Sequence, residues 1–247
     1  MQRNIRWASL LAAVLLVSAC SSTTPASPSP SSTTAAATPA PPTAPTPLPA
    51  APTTAHYRVT FESTWTAATH PVDFPASAHF SPLIGGTHNT SVTFWREGAL
   101  ASLGIQDMAE RGLTTRLSDE VAAAIAAGTA ERVVAGGGLP SSAGKVSAEF
   151  EMSQSHPLVT LVSMVAPSPD WFVGVSRLAL FDNDAWIAER RVELIPWDAG
   201  TDSGVTFTSP DLVTMPHQPI APIVIAPLSP GGRVTPLGTF TFTRIGS

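Results

Sequence analysis

The chain is poor in cysteine and in charged residues, and each scarcity excludes something. Cys20 is the only cysteine among 247 residues, so no intramolecular disulfide can form and the folded part must be stable without cross-links. No Gly-x-Ser-x-Gly motif and no glycine-rich phosphate loop before a helix is present, which argues against an α/β-hydrolase and a nucleotide-binding enzyme. Charged residues make up 13% of the chain.

Basic residues are the scarcer of the two charged classes. The chain has 13 Lys and Arg against 18 Asp and Glu, for a formal net charge of −5, and two of the basic residues, Arg3 and Arg6, lie at the extreme N-terminus. This balance argues against nucleic acid as a partner and against docking of the domain itself on anionic lipid. It is compatible with cation binding.

The N-terminus has the pattern of an export signal. Arg3 and Arg6 precede an apolar stretch, Trp7 to Val17, that is too short to span a bilayer stably. The following Leu16-Val17-Ser18-Ala19-Cys20 resembles the bacterial lipobox, which implies a signal peptide at 1–19 and lipid modification of Cys20. The alternative is an ordinary cleavage site that happens to precede a cysteine. We expect a bacterial envelope lipoprotein, attached to a membrane at Cys20, whose domain faces outside the cytoplasm.

Residues 20–55 form the predicted connection to the folded domain. Positions 21 to 55 hold no Asp, Glu, Lys or Arg and consist almost entirely of Ser, Thr, Pro and Ala. Such a segment cannot bury enough apolar surface to offset its chain entropy, and its prolines favour an extended form. We expect a disordered, lipid-anchored linker that at about 3.1 Å per residue reaches up to roughly 100 Å.

Residues 56–247 have the pattern of a single all-β domain. Tyr57–Phe61 and Thr239–Thr243 alternate apolar and polar residues with a period of two, which predicts half-buried strands that bring the two ends of the domain together. Eight or nine short strands separated by turn residues indicate an eight-stranded antiparallel β-sandwich. The remaining strand candidates are 91–95, 145–152, 158–165, 171–181, 189–195, 204–208 and 220–226.

Two short helical insertions interrupt the strands. The pattern at Ala101–Arg111 predicts a helix that stops at Gly112, and Ser118-Asp119-Glu120 predicts the start of an alanine-rich turn that ends at Gly128. Alanine-rich, weakly amphipathic helices usually pack as covers. We therefore expect both to lie over a sheet edge or an end of the sandwich.

Three aspartates are the strongest candidates for a functional site. Asp198 and Asp202 flank Gly200 in a segment whose glycines disfavour a helix, and Asp170 follows the rigid Pro167–Pro169. Carboxylates that converge from two turns repel one another unless a cation lies between them, and three such ligands with carbonyls and water suit Ca²⁺. The alternative is that the carboxylates cap backbone N–H groups in ordinary turns.

Several long motifs resemble the spondin amino-terminal domain. They are "LVSMVAPSPDWFVGV" (161–175), Trp186 and "LIPWDAGTDSGVTFTSP" (194–210), preceded in the same order by "HPVDFP" (70–75), "HFSPLIGGTHN" (79–89) and "ASLGIQDMAERG" (101–112). The resemblance implies an eight-stranded antiparallel sandwich with a divalent cation held at one end by Asp170, Asp198 and Asp202. The animal relatives are secreted adhesion proteins with thrombospondin repeats, which this chain lacks.

The function that follows is binding rather than catalysis. We expect a cell-surface lipoprotein that binds Ca²⁺ and mediates adhesion or recognition of an extracellular protein or glycan. One alternative is a purely structural metal. Another is a metal-dependent envelope hydrolase using Asp170 and Asp198 with His217 or His88, but carboxylates around Ca²⁺ keep a low pKa and are poor general bases at neutral pH. We therefore do not expect an enzyme.

Other residues of interest receive structural interpretations. His70, His79 and His88 are separated by prolines and by Gly85-Gly86, so no regular period brings their rings together, and we expect hydrogen-bonding roles rather than a transition-metal site. Asp182-Asn183-Asp184 begins like a calcium loop but lacks the glycine and glutamate of an EF-hand, so we expect a β-turn. Buried packing is expected for the aromatic residues near the candidate site, Trp171, Phe172, Trp186 and Trp197.

Overall fold

The computed structural model describes residues 51–247 as a β-sandwich with two helices. The signal peptide, Cys20 and most of the predicted linker lie outside the described residues. The helices are α1 (Leu103–Arg111) and α2 (Thr115–Ala126), with a short 3₁₀ turn at Pro230–Gly232. The strands are β1 (Thr54–Thr64), β2 (His79–Phe80), β3 (Ile84–His88), β4 (Ala130–Ala135), β5 (Ala143–Ser153), β6 (Leu158–Ala166), β7 (Trp171–Ala179), β8 (Phe181–Asp182), β9 (Ala185–Trp186), β10 (Glu189–Leu194), β11 (Trp197–Asp198), β12 (Ala221–Pro222) and β13 (Gly238–Gly246).

Most of the strands form two antiparallel sheets, as predicted for an all-β sandwich, and β8 and β9 form a separate two-stranded hairpin. The smaller sheet has the order β10-β13-β1-β5, and the larger has the order β12-β11-β7-β6-β3-β4, with β2 beside β6. The first and last strands pair directly, with Phe61 opposite Phe240, which confirms that the two ends of the domain meet in one sheet. Strand β1 begins at Thr54, two residues before the predicted domain start at His56.

The main core lies between the two sheets. Alternate residues of β1 point inward, and Tyr57, Phe61, Phe240 and Phe242 are buried there. Aromatic rings meet edge to face across the core, with the Phe61 and Phe240 centroids 5.2 Å apart. This packing explains how the domain is stable without a disulfide.

A second core lies on the outer face of the larger sheet, beneath the two helices. Every residue of β6 is buried, because one face of the strand meets the first core and the other meets the helices. Ile105 and Met108 of α1 and Val121 of α2 pack against this face. The helices therefore cover the face of a sheet, whereas they were predicted over a sheet edge or an end of the sandwich.

The helix boundaries follow local capping, with one correction. Ser102 caps α1, and Gly112 ends it in the left-handed conformation with φ 66°, as predicted. The second helix begins at Thr115, so the predicted start at Ser118 was wrong: the Ser118 N–H already bonds to the Thr114 carbonyl inside the helix. Glu120 instead accepts a hydrogen bond from the N–H of Gly104 at 2.7 Å and so caps the other helix.

Several strand predictions were also wrong. Residues 91–95 and 204–208 lie in loops, and only Ala221–Pro222 of the segment 220–226 is a strand. Strand β3 was missed because Gly85-Gly86 has the composition of a turn. A Cβ atom on Gly85 would lie 1.9 Å from the Thr160 carbonyl oxygen, so glycine is required there by the close approach of β6.

The segment Leu48–Ser247 is a compact unit with its own core. Among residues 51–247, the buried hydrophobic residues fall between Ala55 and Phe242 and form both cores, and the partly buried Ala51 packs against the first core. A fragment covering this unit therefore has what it needs to fold alone. None of the helices in the described part of the chain is long and apolar enough to cross a membrane.

Candidate functional site

Asp170 occupies the turn between β6 and β7, with its side chain directed into the protein. The turn is closed by the hydroxyl of Ser168, which accepts a hydrogen bond from the N–H of Trp171 at 3.1 Å. Asp170 is fully buried, although a carboxylate is costly to remove from water. Its hydrogen bonds must therefore account for its position.

Only one of the two carboxylate oxygens of Asp170 is satisfied. Oδ2 accepts hydrogen bonds from the backbone N–H groups of Thr201 at 2.7 Å and Asp202 at 3.0 Å, and from the Thr201 hydroxyl at 3.2 Å. Oδ1 is buried and has no hydrogen-bond partner among residues 51–247. Asp170 thus ties the β6–β7 turn to the loop after β11 and leaves one oxygen without a partner.

Asp198 lies at the end of β11, opposite Trp171 in the register with β7. Its Oδ1 accepts a hydrogen bond from the N–H of Gly200 at 2.7 Å, which begins the following turn. Gly200 has φ 75°, and a Cβ atom there would lie 2.1 Å from the Gln218 carbonyl oxygen. Glycine at this position therefore allows the loop to fold back toward Asp170.

Asp202 organises the loop that follows it. Its Oδ1 accepts from the N–H of Gly204 and its Oδ2 accepts from the N–H of Leu212, each at 2.7 Å. The Ser203 N–H also bonds to the Leu212 carbonyl at 2.8 Å. We call residues 203–215 the apolar loop, because it exposes several large aliphatic side chains.

The three carboxylates are close enough to affect one another and have no basic partner. No salt bridge within residues 51–247 involves any of them. Burial, followed by the charge of Asp198, raises the pKa of Asp170 to about 7. Burial is also the main cause that raises the pKa of Asp198, and the charge of Asp202 adds to it.

The structure brings the three predicted residues to one place but shows no ready-made metal cage. In the described part of the chain, no three His, Cys, Asp or Glu side chains converge closely enough to hold a metal ion. Asp198 and Asp202 both cap backbone N–H groups, as the alternative interpretation of the sequence anticipated. The unpaired Asp170 oxygen is the feature that capping does not explain.

A cleft of about 250 Å³ lies beside these acids. Asp198, Asp202 and Trp171 contribute to its lining, and most of the other lining residues are aliphatic. The aliphatic lining of the cleft was not predicted, because residues 204–208 and 220–226 were assigned to strands. In the structure Val224 and Ile225 are exposed. The aliphatic lining is formed by Val205, Ala221, Pro222, Ile223, Val224 and Ile225.

The histidines are held apart in separate structural roles. His88 is fully buried, and its Nε2 lies 2.8 Å from the Thr160 hydroxyl. His70 contacts the Thr69 hydroxyl and the Thr235 carbonyl, and His79 contacts the Ser77 carbonyl. None of the hydrogen bonds to the three aspartates involves a histidine, so the acid–base pair needed for the hydrolase alternative is not formed by these contacts.

The remaining candidates have the expected structural roles. Asn183 and Asp184 both have positive φ, 49° and 58°, in the tight turn that joins β8 and β9, which confirms the β-turn prediction. Trp171, Phe172 and Trp186 are buried in the cores. Trp197 is partly buried and packs against Trp95, with ring centroids 5.2 Å apart.

Comparison with known proteins gives a consistent result. The family described as Spondin_N matches residues 55–230. Spondin-2 of Homo sapiens is 39% identical over 173 residues, which cover 68% of this chain and 52% of that protein. Spondin-1 of Mus musculus is 37% identical over 211 residues, 78% of this chain and 25% of that protein, and Spondin-2 of Rattus norvegicus is 34% identical over 204 residues, 77% of this chain and 62% of that protein. The chain therefore spans between a quarter and about three fifths of the length of these relatives.

Proposed function

The chain belongs to the Spondin_N family, and from that membership and the arrangement of its acids we propose that the domain is a Ca²⁺-dependent recognition module. In this proposal Asp170, Asp198 and Asp202 hold the cation. The module is carried outside the cytoplasm by an envelope lipoprotein anchored at Cys20, and it mediates adhesion to an extracellular protein or glycan.

The observation that carries the proposal is the unpaired Oδ1 atom of Asp170. A buried acceptor without a partner costs about 1–3 kcal/mol, and more when it is charged. The charge of Asp198 acts on Asp170 and the charge of Asp202 acts on Asp198, and within residues 51–247 no salt bridge to Lys or Arg offsets them. A cation would supply the missing partner and offset the repulsion.

The donor set favours a hard cation. The candidate ligands are all carboxylate oxygens, and no cysteine or histidine nitrogen takes part, so a site selective for zinc is not supported. Asp170 is fixed through Oδ2, which leaves Oδ1 for the ion. Asp198 and Asp202 keep lone pairs beyond those used by the backbone, and backbone carbonyls and water would complete the six to eight ligands that Ca²⁺ prefers.

A binding role is supported over a catalytic one. The carboxylates have no hydrogen bond to a histidine, and most of the cleft lining is aliphatic, which suits contact with a ligand better than proton transfer. One specific observation favours the second candidate, a purely structural metal. Asp202 already orders the apolar loop through Gly204 and Leu212, so an ion there would stiffen that loop even if no partner bound.

The direct test is calorimetric titration of Ca²⁺ into the fragment Leu48–Ser247, with and without the substitution Asp170→Asn. We expect single-site binding by the parent fragment, in the range of about 10⁻⁴ to 10⁻³ M that is common outside cells, and at least a tenfold weaker affinity in the variant. Asp182→Asn, in an exposed turn, should bind as the parent does. Absence of binding, or equal binding by the parent and Asp170→Asn, would refute the proposed site.

A further inference from the structure

Strand β10 lies at an open edge of the smaller sheet. It pairs with β13 on one side, and within residues 51–247 no strand pairs with its other side. The Arg244 N–H bonds to the Ala188 carbonyl at 2.9 Å, so the backbone groups of the even-numbered residues of the strand point toward β13. Those of the alternate residues therefore point toward the free edge. The alternate residues are Glu189, Arg191 and Glu193.

The charged side chains of β10 have no ionic partner in the domain. Their neighbours on β13 across the outer face of the sheet are threonines. None of the four forms a salt bridge within residues 51–247. On β5, the opposite edge strand of this sheet, Lys145, Glu149 and Glu151 each form one. Free charge therefore distinguishes the β10 edge from the β5 edge. The four residues are Glu189, Arg190, Arg191 and Glu193.

A second copy of the strand can supply the missing charges. In a two-fold symmetric antiparallel pair, residue i of one copy faces residue j of the other and j faces i. A two-fold axis that passes by Val192 places Arg191 of each copy opposite Glu193 of the other. Both residues have backbone groups on the free edge, so each such pair exchanges both of its hydrogen bonds and also forms an ion pair.

The neighbouring registers bring like charges together. An axis at Arg191 or at Glu193 places that residue opposite itself on the second copy. An axis at Arg190 places two Arg190 side chains opposite each other in a non-hydrogen-bonded pair, where side chains are closest. An axis at Val192 puts two apolar side chains there instead. Charges on an edge strand commonly prevent pairing, and here they disfavour these registers while favouring one.

The β10 edge is open to a second copy. Its charged residues are all exposed, and Val192 is half-buried. Val192 and Glu193 line a cleft of about 500 Å³, whose lining also includes residues 174–178 of β7. The described part of the chain therefore leaves space beside the strand.

We propose that the domain forms a symmetric dimer in which the β10 strands of two copies pair, with Val192 at the axis and Arg191 facing Glu193. The two smaller sheets then become one continuous sheet, in the order β5-β1-β13-β10-β10-β13-β1-β5. This pairing uses none of the three aspartates and does not depend on a cation. A dimer would also present two copies of any recognition site together, which raises avidity.

The first test measures self-association of the fragment Leu48–Ser247 by sedimentation equilibrium in chelator. The test variants are Arg191→Glu and Glu193→Arg, each of which places like charges opposite one another in the dimer. The double variant, and an equimolar mixture of the two single variants, both restore opposite charges. The matched control is Arg132→Glu, which makes the same change of charge at an exposed position of β4 in the other sheet. Melting temperatures check that each variant is folded.

We expect the parent and Arg132→Glu to dimerise, and each β10 single variant to dimerise at least about tenfold more weakly. The double variant and the mixture should recover the association. A parent fragment that stays monomeric up to about 1 mM would refute the dimer. Single variants that associate as the parent does, or a mixture that does not recover, would show that these strands do not pair in this way.

The second test examines the register by disulfide formation. The fragment has no cysteine of its own, and Val192→Cys would bring two thiols together with Cα atoms about 4.5 Å apart, within the range of a disulfide. In Arg190→Cys the two positions lie about 13 Å apart along the strands, which is too far. We expect mild oxidation to cross-link Val192→Cys and not Arg190→Cys. Equal cross-linking of both variants, or of Arg190→Cys alone, would overturn the proposed register.

Discussion

The Oδ2 atom of Asp170 accepts the backbone N–H of Thr201 at 2.7 Å, and this hydrogen bond joins two turns that are 31 residues apart in the chain. Asp170 precedes β7 and Thr201 follows β11, and the two strands pair beside this contact. The contact fixes the distance between the turns. It also fixes Asp170 in an orientation that leaves Oδ1 buried without a partner.

The substitution Asp170→Asn should have opposite effects with and without Ca²⁺. Asparagine keeps one oxygen for the N–H groups of Thr201 and Asp202 but removes the buried negative charge. In chelator at pH 8 we expect a melting temperature at or above that of the parent. In saturating Ca²⁺ we expect the parent to gain stability and the variant to gain little. A variant that gains as much as the parent would contradict the assignment of Asp170 as a ligand.

The substitution Asp202→Ala should loosen the apolar loop. It removes the acceptors of the Gly204 and Leu212 N–H groups, and the loss of these two bonds should lower the free energy of unfolding by about 1–3 kcal/mol. Hydrogen exchange at these two amides is the measurement, and we expect it to accelerate. Asp211→Ala is the matched control, because Asp211 is exposed in the same loop and forms no salt bridge within residues 51–247. Unchanged protection in Asp202→Ala would show that other contacts hold the loop.

The stability of the cation-free domain should fall as pH rises through the weakly acidic range. Burial raises the pKa of Asp170 from 3.8 to about 7, so between these values the folded state holds a proton that the unfolded state has lost. Protonation therefore favours folding below pH 7, and the loss on raising the pH should amount to a few kcal/mol in chelator. Ca²⁺ would stabilise the charged form and flatten this dependence. Chemical denaturation at pH 5 and 8 in both conditions tests this, and a pH profile that Ca²⁺ leaves unchanged would count against the site.

Gly200→Ala should be much more damaging than Gly231→Ala. Both glycines have positive φ, 75° and 70°, so alanine at either position costs about 1–2 kcal/mol from backbone strain. Only at Gly200 would the new Cβ also lie 2.1 Å from a backbone oxygen, that of Gln218, whereas Gly231 has open space. The difference in unfolding free energy between the two variants isolates the clash. We expect Gly200→Ala also to weaken Ca²⁺ binding, because the clash displaces the turn between Asp198 and Asp202.

The sequence predicted the regular strands well because their signal is local. The period-two alternation of 57–61 and 239–243 depends only on which face of a strand is buried, and both segments are strands that pair with each other. Gly112 ended its helix for an equally local reason, since glycine adopts the left-handed conformation without strain. The tight turn at Asn183-Asp184 was likewise predictable from composition.

The failures occurred where tertiary contacts override local preference. Val224 and Ile225 belong to an apolar run typical of a strand, yet the strand stops at Pro222 and the run continues as exposed loop. Strand β3 contains two glycines and would be assigned to a turn, but its glycines allow β6 to approach closely. Neither outcome can be predicted without knowing which element lies alongside.

The sequence by itself determined the all-β class and the absence of an intramolecular disulfide, because strand periodicity and cysteine count are written in consecutive residues, and it singled out the three aspartates as candidates. Only the tertiary structure decided how those aspartates are used. Hydrogen bonds from Thr201, Gly204 and Leu212 satisfy some of the carboxylate oxygens and leave Oδ1 of Asp170 without a partner. The physical reason is that burial and hydrogen-bond pairing depend on segments distant in the chain, and no local pattern specifies them.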